Sequence, residues 1–214
     1  MTGTVIGSPP PSSPSAPDDP APAAGGHRPE GFTALHADAV RLLQRWDAPD
    51  LALDFKAQAF LDLLGAGPDA VWKHGLSCHL TASAIVLDPT GTQVLLTLHR
   101  KARAWFQFGG HLEPGDQDLR AGATREAREE SGVPGLLLEP GIADLSIHDL
   151  PAAFGHCRTH FDVRFAGVLS PEVDHAVSAE SLDVRWWPAE DLPRDASPDL
   201  PAVIRAGRRH LGLP

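Results

Sequence analysis

The sequence feature that most constrains the fold is the junction at residues 109–133, where a glycine- and proline-rich stretch runs directly into a helical pattern. Asp116 and Asp118 are both suited to the N-cap of this helix, and Gly132 is suited to the position just past its C-terminus. Residues 80–99 precede the junction with two β-rich runs that an Asp-Pro-Thr-Gly turn separates. The segment is therefore predicted to be a β-hairpin that leads through a loop into a capped helix.

Helical and strand patterns continue on both sides of this junction. Residues 34–46 and 53–64 have apolar side chains at approximately helical spacing, and Phe55, Phe60 and Leu63 contribute to the second stripe. Three further β-like runs and a closing helix are predicted at residues 141–148, 160–169, 182–187 and 202–211, the helix being the last of these. Strands interspersed with helices predict an α/β fold in which helices cover both faces of a mixed sheet, an α/β/α sandwich.

Composition divides the chain into three predicted segments. Residues 1–30 are dominated by Pro, Ala, Ser and Gly, a composition that cannot bury enough apolar surface to offset the entropy of ordering, so we predict a disordered tail. Residues 31–76 contain the two helical patterns and are expected to pack on the core as scaffold. Residues 77–214 are expected to form the main domain, since 42% hydrophobic residues in a 214-residue chain suffice for one sizeable core.

Charge and cysteine content restrict the partners and the compartment. The formal net charge is −10 and no run of Lys or Arg interrupts it, which argues against a polymeric nucleic-acid partner but not against a small phosphate compound held through a metal ion. Cys78 and Cys157 are the only cysteines, too few for a disulfide framework. Because no apolar run approaches the roughly 20 residues that span a bilayer, and no signal peptide is recognisable, we expect a cytoplasmic protein without a membrane partner.

Three glutamates of the predicted helix carry the clearest chemical signal. Glu126, Glu129 and Glu130 fall at i, i+3 and i+4, so they occupy one arc of the helix and lie close enough to bind the same cations. Hard oxygen ligands without His or Cys favour Mg²⁺ or Mn²⁺ over zinc. Taken alone, the same pattern is equally consistent with a solvated acidic helix face.

The apolar stripe of the same helix argues against mere solvation. Glu126 and Glu130 share the stripe of Leu119 and Ala123, the side expected to face the protein. Like charges there repel by about 0.2–0.5 kcal/mol per i,i+4 pair even in water, and a bound divalent cation relieves the conflict. Gly122 lies on this face as well, although glycine costs about 1 kcal/mol relative to alanine inside a helix. It is expected to leave room for the loop or for the substrate.

The order of fixed residues in this region resembles the signature of the Nudix hydrolase family. The sequence reads Gly109-Gly110, then Glu113-Pro-Gly115, then Arg125-Glu126-Ala127-x-Glu129-Glu130-x-Gly132-Val133. The family's box is G-x5-E-x7-R-E-U-x-E-E-x-G-U, where U is a bulky aliphatic residue. The second half agrees at every fixed position except that Ala127 is small for its aliphatic position. On these motifs the chain is identified as a member of the Nudix family, with the α/β/α fold of that family.

The first half of the box departs from the family pattern. Asp116 stands where the family has glutamate, and eight residues rather than seven separate it from Arg125. The extra residue is expected to enlarge the loop and to leave the register of the three helix glutamates untouched. It puts in question whether Asp116 performs the structural task of the usual glutamate. Phe108 also replaces a proline that often precedes the glycine pair, which alters the loop but removes no ligand.

The resemblance implies a role for each matching residue. Glu126, Glu129 and Glu130 hold Mg²⁺ or Mn²⁺ with a backbone carbonyl of Gly109 or Gly110, and Arg125 orients a glutamate by charge-assisted hydrogen bonding. In such a site, water attacks one phosphorus of a diphosphate while the metal neutralises the developing charge. The general base is a glutamate of the box or one from a later loop. Glu180 is our candidate for the latter, and an ordinary surface residue is the alternative for it.

The resemblance also leaves several functions open. The first is hydrolysis of a small-molecule substrate, either a nucleoside diphosphate linked to another group or a nucleoside triphosphate. The second is a sensor that binds such a compound without turnover, against which the intact carboxylate set argues. The third is an isomerase of isopentenyl diphosphate. That chemistry needs a reactive cysteine, and nothing in the sequence marks Cys78 or Cys157, which are expected to pack as small hydrophobes.

Histidine is abundant, with 11 in the chain, and several lie near the box. These are His99, His111, His148, His156 and His160. We hypothesise that some of them, His111 and His160 foremost, line the substrate pocket or add an imidazole to metal binding. The alternative is that they are scattered polar or packing residues, since spacing in the sequence does not show convergence in space.

Overall fold

A computed structural model of the chain describes residues 28–150, 156–179 and 181–214. The predicted disordered tail, residues 1–30, lies outside this described part except for its last three residues. The helices are α1 (Gly31–Arg45), α2 (Leu51–Leu64), α3 (Leu119–Ser131) and α4 (Leu200–Leu211), with a 3-10 helix at Pro68–Val71. The strands are β1 (Cys78–Leu87), β2 (Gln93–His99), β3 (Ala104–Phe106), β4 (Phe108–His111), β5 (Asp144–Asp149), β6 (Thr159–Val168) and β7 (Ser181–Pro188).

The strands form one mixed sheet around β1. Its main path runs β3-β2-β1-β6-β5, while β4 pairs with β1 and β7 pairs with β2. Strands β1 and β6 are parallel over their whole length, and the other pairs are antiparallel. Strands β2 and β4 share one edge of β1: β2 pairs near its C-terminal end and β4 pairs near its N-terminal end. The sheet curls, and the prediction of a mixed sheet is confirmed.

The two faces of the sheet are packed differently. Alternate residues of β1, from Leu80 to Val86, belong to a large apolar core that α1, α2 and α3 cover. On the opposite face Ile85 and Leu87 join a smaller core under α4. Because side chains alternate along a strand, β1 serves both cores at once, and its buried run is nearly continuous. Helices therefore lie on both sides of the sheet, as the α/β/α prediction required.

The N-terminal helices are tied to the sheet and to α3 by hydrogen bonds. Trp46 at the end of α1 donates its indole N–H to the carbonyl of Ile142 at 3.0 Å. Lys56 of α2 donates to the carbonyl of Leu145 in β5 at 3.1 Å. Phe32, Leu35, Leu53 and Phe60 join the same large core as α3. No helix among the described residues is both long and apolar enough to cross a membrane.

Two local predictions were wrong. The glycine pair was expected in a loop, but Phe108–His111 is a strand whose residues pair with Thr81 to Ala84 of β1. The predicted stripe of α2 included Phe55, which is 75% exposed, because the helix buries its Leu53, Ala57, Phe60 and Leu64 side instead.

Candidate active site

Helix α3 is fixed at both ends in the way that its sequence predicts. The side chain of Asp118 accepts a hydrogen bond from the backbone N–H of Ala121 at 2.7 Å, and Gly132 ends the helix in the left-handed region at φ 67°. Asp38 of α1 adds a second acceptor for the N–H of Leu119 at 3.0 Å. These caps satisfy backbone groups that a helix terminus otherwise leaves without partners, so they fix the register of the side chains on α3.

The glycine in the middle of α3 makes room for the preceding loop. A Cβ at Gly122 would lie 2.7 Å from Cδ2 of Leu112 and 2.9 Å from Oδ2 of Asp116. Of the two expected reasons for this glycine, the structure supports close packing of the loop.

Two of the three glutamates are held against the glycine strand. Glu130 is only 5% exposed, and its Oε2 accepts the backbone N–H of Gly109 at 3.0 Å. The Glu126 side chain is 15% exposed and its carboxylate lies beside Gly110, where a Cβ would come within 2.7 Å of it. Glu129 projects outward, with its side chain 60% exposed. Missing side chains on β4 thus create the space that the Glu126 carboxylate fills.

Arg125 organises the acidic groups around it. Its Nε and Nη2 donate to the two carboxylate oxygens of Asp116 at 2.9 and 3.1 Å. Its Nη1 donates to Glu126 at 2.9 Å and to Glu129 at 3.2 Å. Partial burial alone would lower the pKa of Arg125, but Asp116 and Glu126 outweigh it and raise that pKa. The guanidinium therefore stays protonated and donates four hydrogen bonds to three carboxylates.

Asp116 reaches Arg125 in spite of the altered loop. The aspartate side chain is shorter than glutamate by one methylene, and the loop before α3 has one residue more than the family pattern. The carboxylate nevertheless binds Arg125 through both oxygens and is 5% exposed. Its Oδ2 also accepts the backbone N–H of Glu113 at 2.8 Å, which holds the loop. Asp116 thus contacts both Arg125 and the loop before α3.

A cavity of about 560 Å³ opens beside the glutamates. All three helix glutamates line it, together with Gly109, Gly110, Arg125, His111, Lys73 and Trp72. Its volume lies within the roughly 300–1,000 Å³ typical of small-molecule sites. A smaller cavity of about 170 Å³ adjoins it and is lined by Gly110 and Glu130 together with Phe106, His160 and Asp162.

Buried polar side chains support the floor of the smaller cavity. Asp162 of β6 accepts hydrogen bonds from the hydroxyls of Thr81 at 3.0 Å and Ser83 at 2.6 Å. Arg164 donates to the same carboxylate at 3.1 Å and to Asp144 at 3.2 Å. None of these residues was predicted from the sequence to belong to a site. The network is formed by residues that alternate along two neighbouring strands, a pattern that becomes informative only when the pairing is known.

The structure brings the two singled-out histidines together with a third. The rings of His111 and His160 have centroids 5.1 Å apart, and each lies 5.1–5.2 Å from the ring of His79. Burial lowers the pKa of His111 to about 3 and that of His160 to about 4, with neighbouring histidines adding to both effects. Cys157 lies beside this group. Neither His79 nor Cys157 was proposed as a site residue from the sequence.

The remaining sequence candidates are placed differently. His99 lines both cavities, and the ring of His148 lies 5.5 Å from that of His160. Glu180, the candidate base from a later loop, lies outside the residues that the structure describes.

Comparison with known proteins gives one family and many structures. Residues 78–206, more than half of the chain, match the family model described as the NUDIX domain. Among solved structures, a complex of the Ap4A hydrolase of C. elegans is 19% identical with a TM-score of 0.52, and the alignment covers 62% of this chain and 97% of that one. The MutT protein of Methanosarcina mazei is 20% identical with a TM-score of 0.50, covering 63% and 95%.

A third structure of the same fold is the dihydroneopterin triphosphate pyrophosphohydrolase of E. coli. It is 16% identical with a TM-score of 0.50, and the alignment covers 61% of this chain and 92% of that one. At these identities the likeness shows the fold alone. Among curated proteins no significant match was found.

Proposed function

Because this chain belongs to the family of NUDIX-domain proteins, we propose that it is a metal-dependent hydrolase that cleaves a diphosphate linkage in a small nucleotide-like substrate. The observation that carries the proposal is the position of Glu126 and Glu130. Both carboxylates are largely buried, lie one turn apart on α3 and line one cavity with the glycine pair of β4. Two largely buried carboxylates one helical turn apart repel each other, and a cation bound in the cavity would relieve this repulsion.

The donor set fits Mg²⁺ or Mn²⁺. The cavity presents carboxylate oxygens from Glu126, Glu129 and Glu130 and backbone from Gly109 and Gly110. Small hard cations prefer such oxygen ligands and bind through few carboxylates plus substrate phosphates. When bound, the ion would neutralise phosphate charge and lower the pKa of a coordinated water. The three glutamates would hold it with a carbonyl of the glycine pair.

The other groups of the cavity orient the ligands and the substrate. Arg125 fixes Glu126 and Glu129 through charge-assisted hydrogen bonds, so these carboxylates are preorganised. Lys73 brings a positive charge to the same cavity, which complements the charge of a phosphate group. One carboxylate of the helix accepts the proton of the attacking water, and Glu180 remains the second candidate for this task.

The proposed substrate is a nucleoside diphosphate derivative or a nucleoside triphosphate. Structures of similar fold include proteins described as an Ap4A hydrolase and a dihydroneopterin triphosphate pyrophosphohydrolase, names that denote phosphate-anhydride substrates. A cavity of about 560 Å³ has room for a ligand of nucleotide size. Trp72 on its wall is half-buried and offers apolar surface to a base or a sugar.

The test is turnover by the purified chain with Mg²⁺ or Mn²⁺. Nucleotide sugars, dinucleoside polyphosphates, nucleoside triphosphates and isopentenyl diphosphate are screened beside Glu130→Gln. We expect hydrolysis of at least one nucleotide and a loss of roughly 100-fold or more in the variant. Glu139→Gln is the matched control, because Glu139 is exposed and away from both cavities.

The other outcomes separate the alternative functions. Metal-dependent nucleotide binding without any turnover would support the sensor. Conversion of isopentenyl diphosphate that requires a cysteine would support the isomerase. Turnover that Glu130→Gln leaves unchanged would refute the proposed site.

A further inference from the structure

We propose that His79, His111, His160 and Cys157 form a second metal site, which binds one Zn²⁺ separately from the glutamates of α3. One ligand atom from each of the four side chains lies within 4.8 Å of all the others. The Cys157 Sγ is 3.8 Å from Nε2 of His79 and 3.9 Å from Nε2 of His111. Tetrahedral zinc, with bonds of about 2.0 Å to nitrogen and 2.3 Å to sulfur, holds its ligands roughly 3.3–3.6 Å apart. Contraction by a few tenths of an ångström at the sulfur, and by at most about 1.5 Å between any other pair of ligand atoms, would therefore give tetrahedral spacing.

The scaffold that carries the four side chains is fixed by strand pairing. His79 on β1 is the register partner of His160 on β6, and His111 on β4 pairs with Thr81, two residues further along β1. Side chains two residues apart on a strand point to the same face, so the three imidazoles share one face of the sheet. Cys157 lies two residues before β6, where the N–H of Arg158 donates to the carbonyl of Ser77 at 2.7 Å.

Two ring nitrogens are set up for a ligand. Nδ1 of His79 is 2.9 Å from the carbonyl of Leu76, a contact that requires the proton on Nδ1 and leaves Nε2 with a lone pair toward Cys157. A backbone carbonyl behind the imidazole is the usual arrangement for a metal-binding histidine. Nε2 of His160 is buried and has no hydrogen-bond partner among the described residues. A buried polar atom of this kind is unfavourable unless a ligand satisfies it.

The donor chemistry selects the ion. Imidazole and thiolate are soft or borderline ligands that suit zinc, whereas Mg²⁺ prefers oxygen. Zn²⁺ replaces the thiol proton of Cys157, and this proton is released to solvent. With one thiolate and three neutral imidazoles, the zinc site then has a net charge of +1. Four protein ligands leave no open position, which is the pattern of a structural site. The ion would join β1, β4 and β6 to the segment before β6.

The test uses Co²⁺ as a spectroscopic substitute for Zn²⁺ in the purified full-length protein after treatment with a chelator. Titration with Co²⁺ is expected to produce a thiolate-to-cobalt charge-transfer band and the intense visible bands of tetrahedral cobalt. Zn²⁺ is expected to bleach both, and elemental analysis after dialysis in excess Mg²⁺ is expected to give one zinc per chain. The variants are Cys157→Ser and His160→Asn, with Cys78→Ser and Glu130→Gln as controls.

The variants distinguish this site from the glutamate site. Loss of a direct ligand is expected to weaken zinc binding by more than the ~10–100-fold typical of an outer-shell partner. Cys157→Ser should also remove the charge-transfer band, while Cys78→Ser and Glu130→Gln keep it. His160→Asn provides an independent readout if the serine variant does not fold, as checked by circular dichroism. Wild-type affinity in both folded ligand variants, or binding that disappears in Glu130→Gln, would overturn the proposal.

Discussion

Replacing Gly110 by alanine isolates the position of one carboxylate. An added Cβ would lie 2.7 Å from the carboxyl carbon and Oε1 of Glu126 and 2.8 Å from its Oε2. Ordinary carbon contacts are about 3.5–4.0 Å, so the carboxylate must withdraw by roughly 1 Å. A misplacement of about 1 Å near the reacting groups costs on the order of 100-fold in rate. We therefore expect kcat/KM to fall about 100-fold, and the metal concentration for half-maximal activity to rise.

The stability of the same variant should change much less. The atoms in the way are the far end of a flexible side chain, so the free energy of unfolding should fall by only about 1 kcal/mol, the low end for overpacking. Gly115→Ala is the matched control, because a Cβ there meets nothing within 4 Å and the φ of Gly115 is not positive. Steady-state kinetics over a range of Mg²⁺ and urea unfolding measure the two effects. A folded Gly110→Ala enzyme with unchanged kinetics and metal dependence would refute this reasoning.

Three further predictions concern stability. Asp116→Ala removes the carboxylate that binds Arg125 through both oxygens, so it should lower the free energy of unfolding in denaturant by about 3 kcal/mol. The cap variant Asp118→Ala should lower it by about 1 kcal/mol. Equal losses would contradict the role assigned to Asp116. Gly207→Ala should destabilise by about 1–3 kcal/mol in the same assay, since its Cβ would lie 2.7 Å from Cγ2 of Ile85, whereas helix propensity alone predicts a gain of about 1 kcal/mol. Free Zn²⁺ at 100 times its Kd should stabilise the wild type by about 2.7 kcal/mol, which corresponds to a rise in Tm of roughly 5–11 °C in scanning calorimetry. The same Zn²⁺ concentration should not change the Tm of Cys157→Ser.

The sequence predicted α3 well because its determinants are local. The cap at Asp118, the glycine at its C-terminal end and the spacing of Glu126, Glu129 and Glu130 all lie within one helix. Strand β4 was missed for the opposite reason. Glycine is depleted in strands, so Gly109 and Gly110 read as a loop. Gly109 has no room for a side chain because β4 lies so close to β1 that a Cβ there would come within 2.4 Å of Cβ of Ser83. At Gly110 the space is taken by the Glu126 carboxylate, which a Cβ would approach to 2.7 Å.

The register of α2 shows a different limit. Leu51 and Phe55 are 75% exposed while Leu53 and Phe60 are buried, although all four are apolar. A helix with apolar residues on several sides has no single stripe, so its orientation is decided by the surface on which it packs. That surface comes from β5, which lies far away in the sequence, and from α1, which is a separate helix.

The histidine group could not be predicted from the sequence, because its members meet through strand pairing that no local sequence pattern shows. His79 and His160 are 81 residues apart and meet only because β1 and β6 pair in parallel. Once the pairing is known, the face becomes readable from the sequence: polar residues occupy alternate positions from His79 to Ser83, and Ile85 then begins the apolar part under α4. Helix α4 covers the apolar half of this face, and the polar half lies toward the cavities. Strand β4 borders it with Gly110 beside the glutamates and His111 among the imidazoles, so one four-residue strand positions both candidate metal sites.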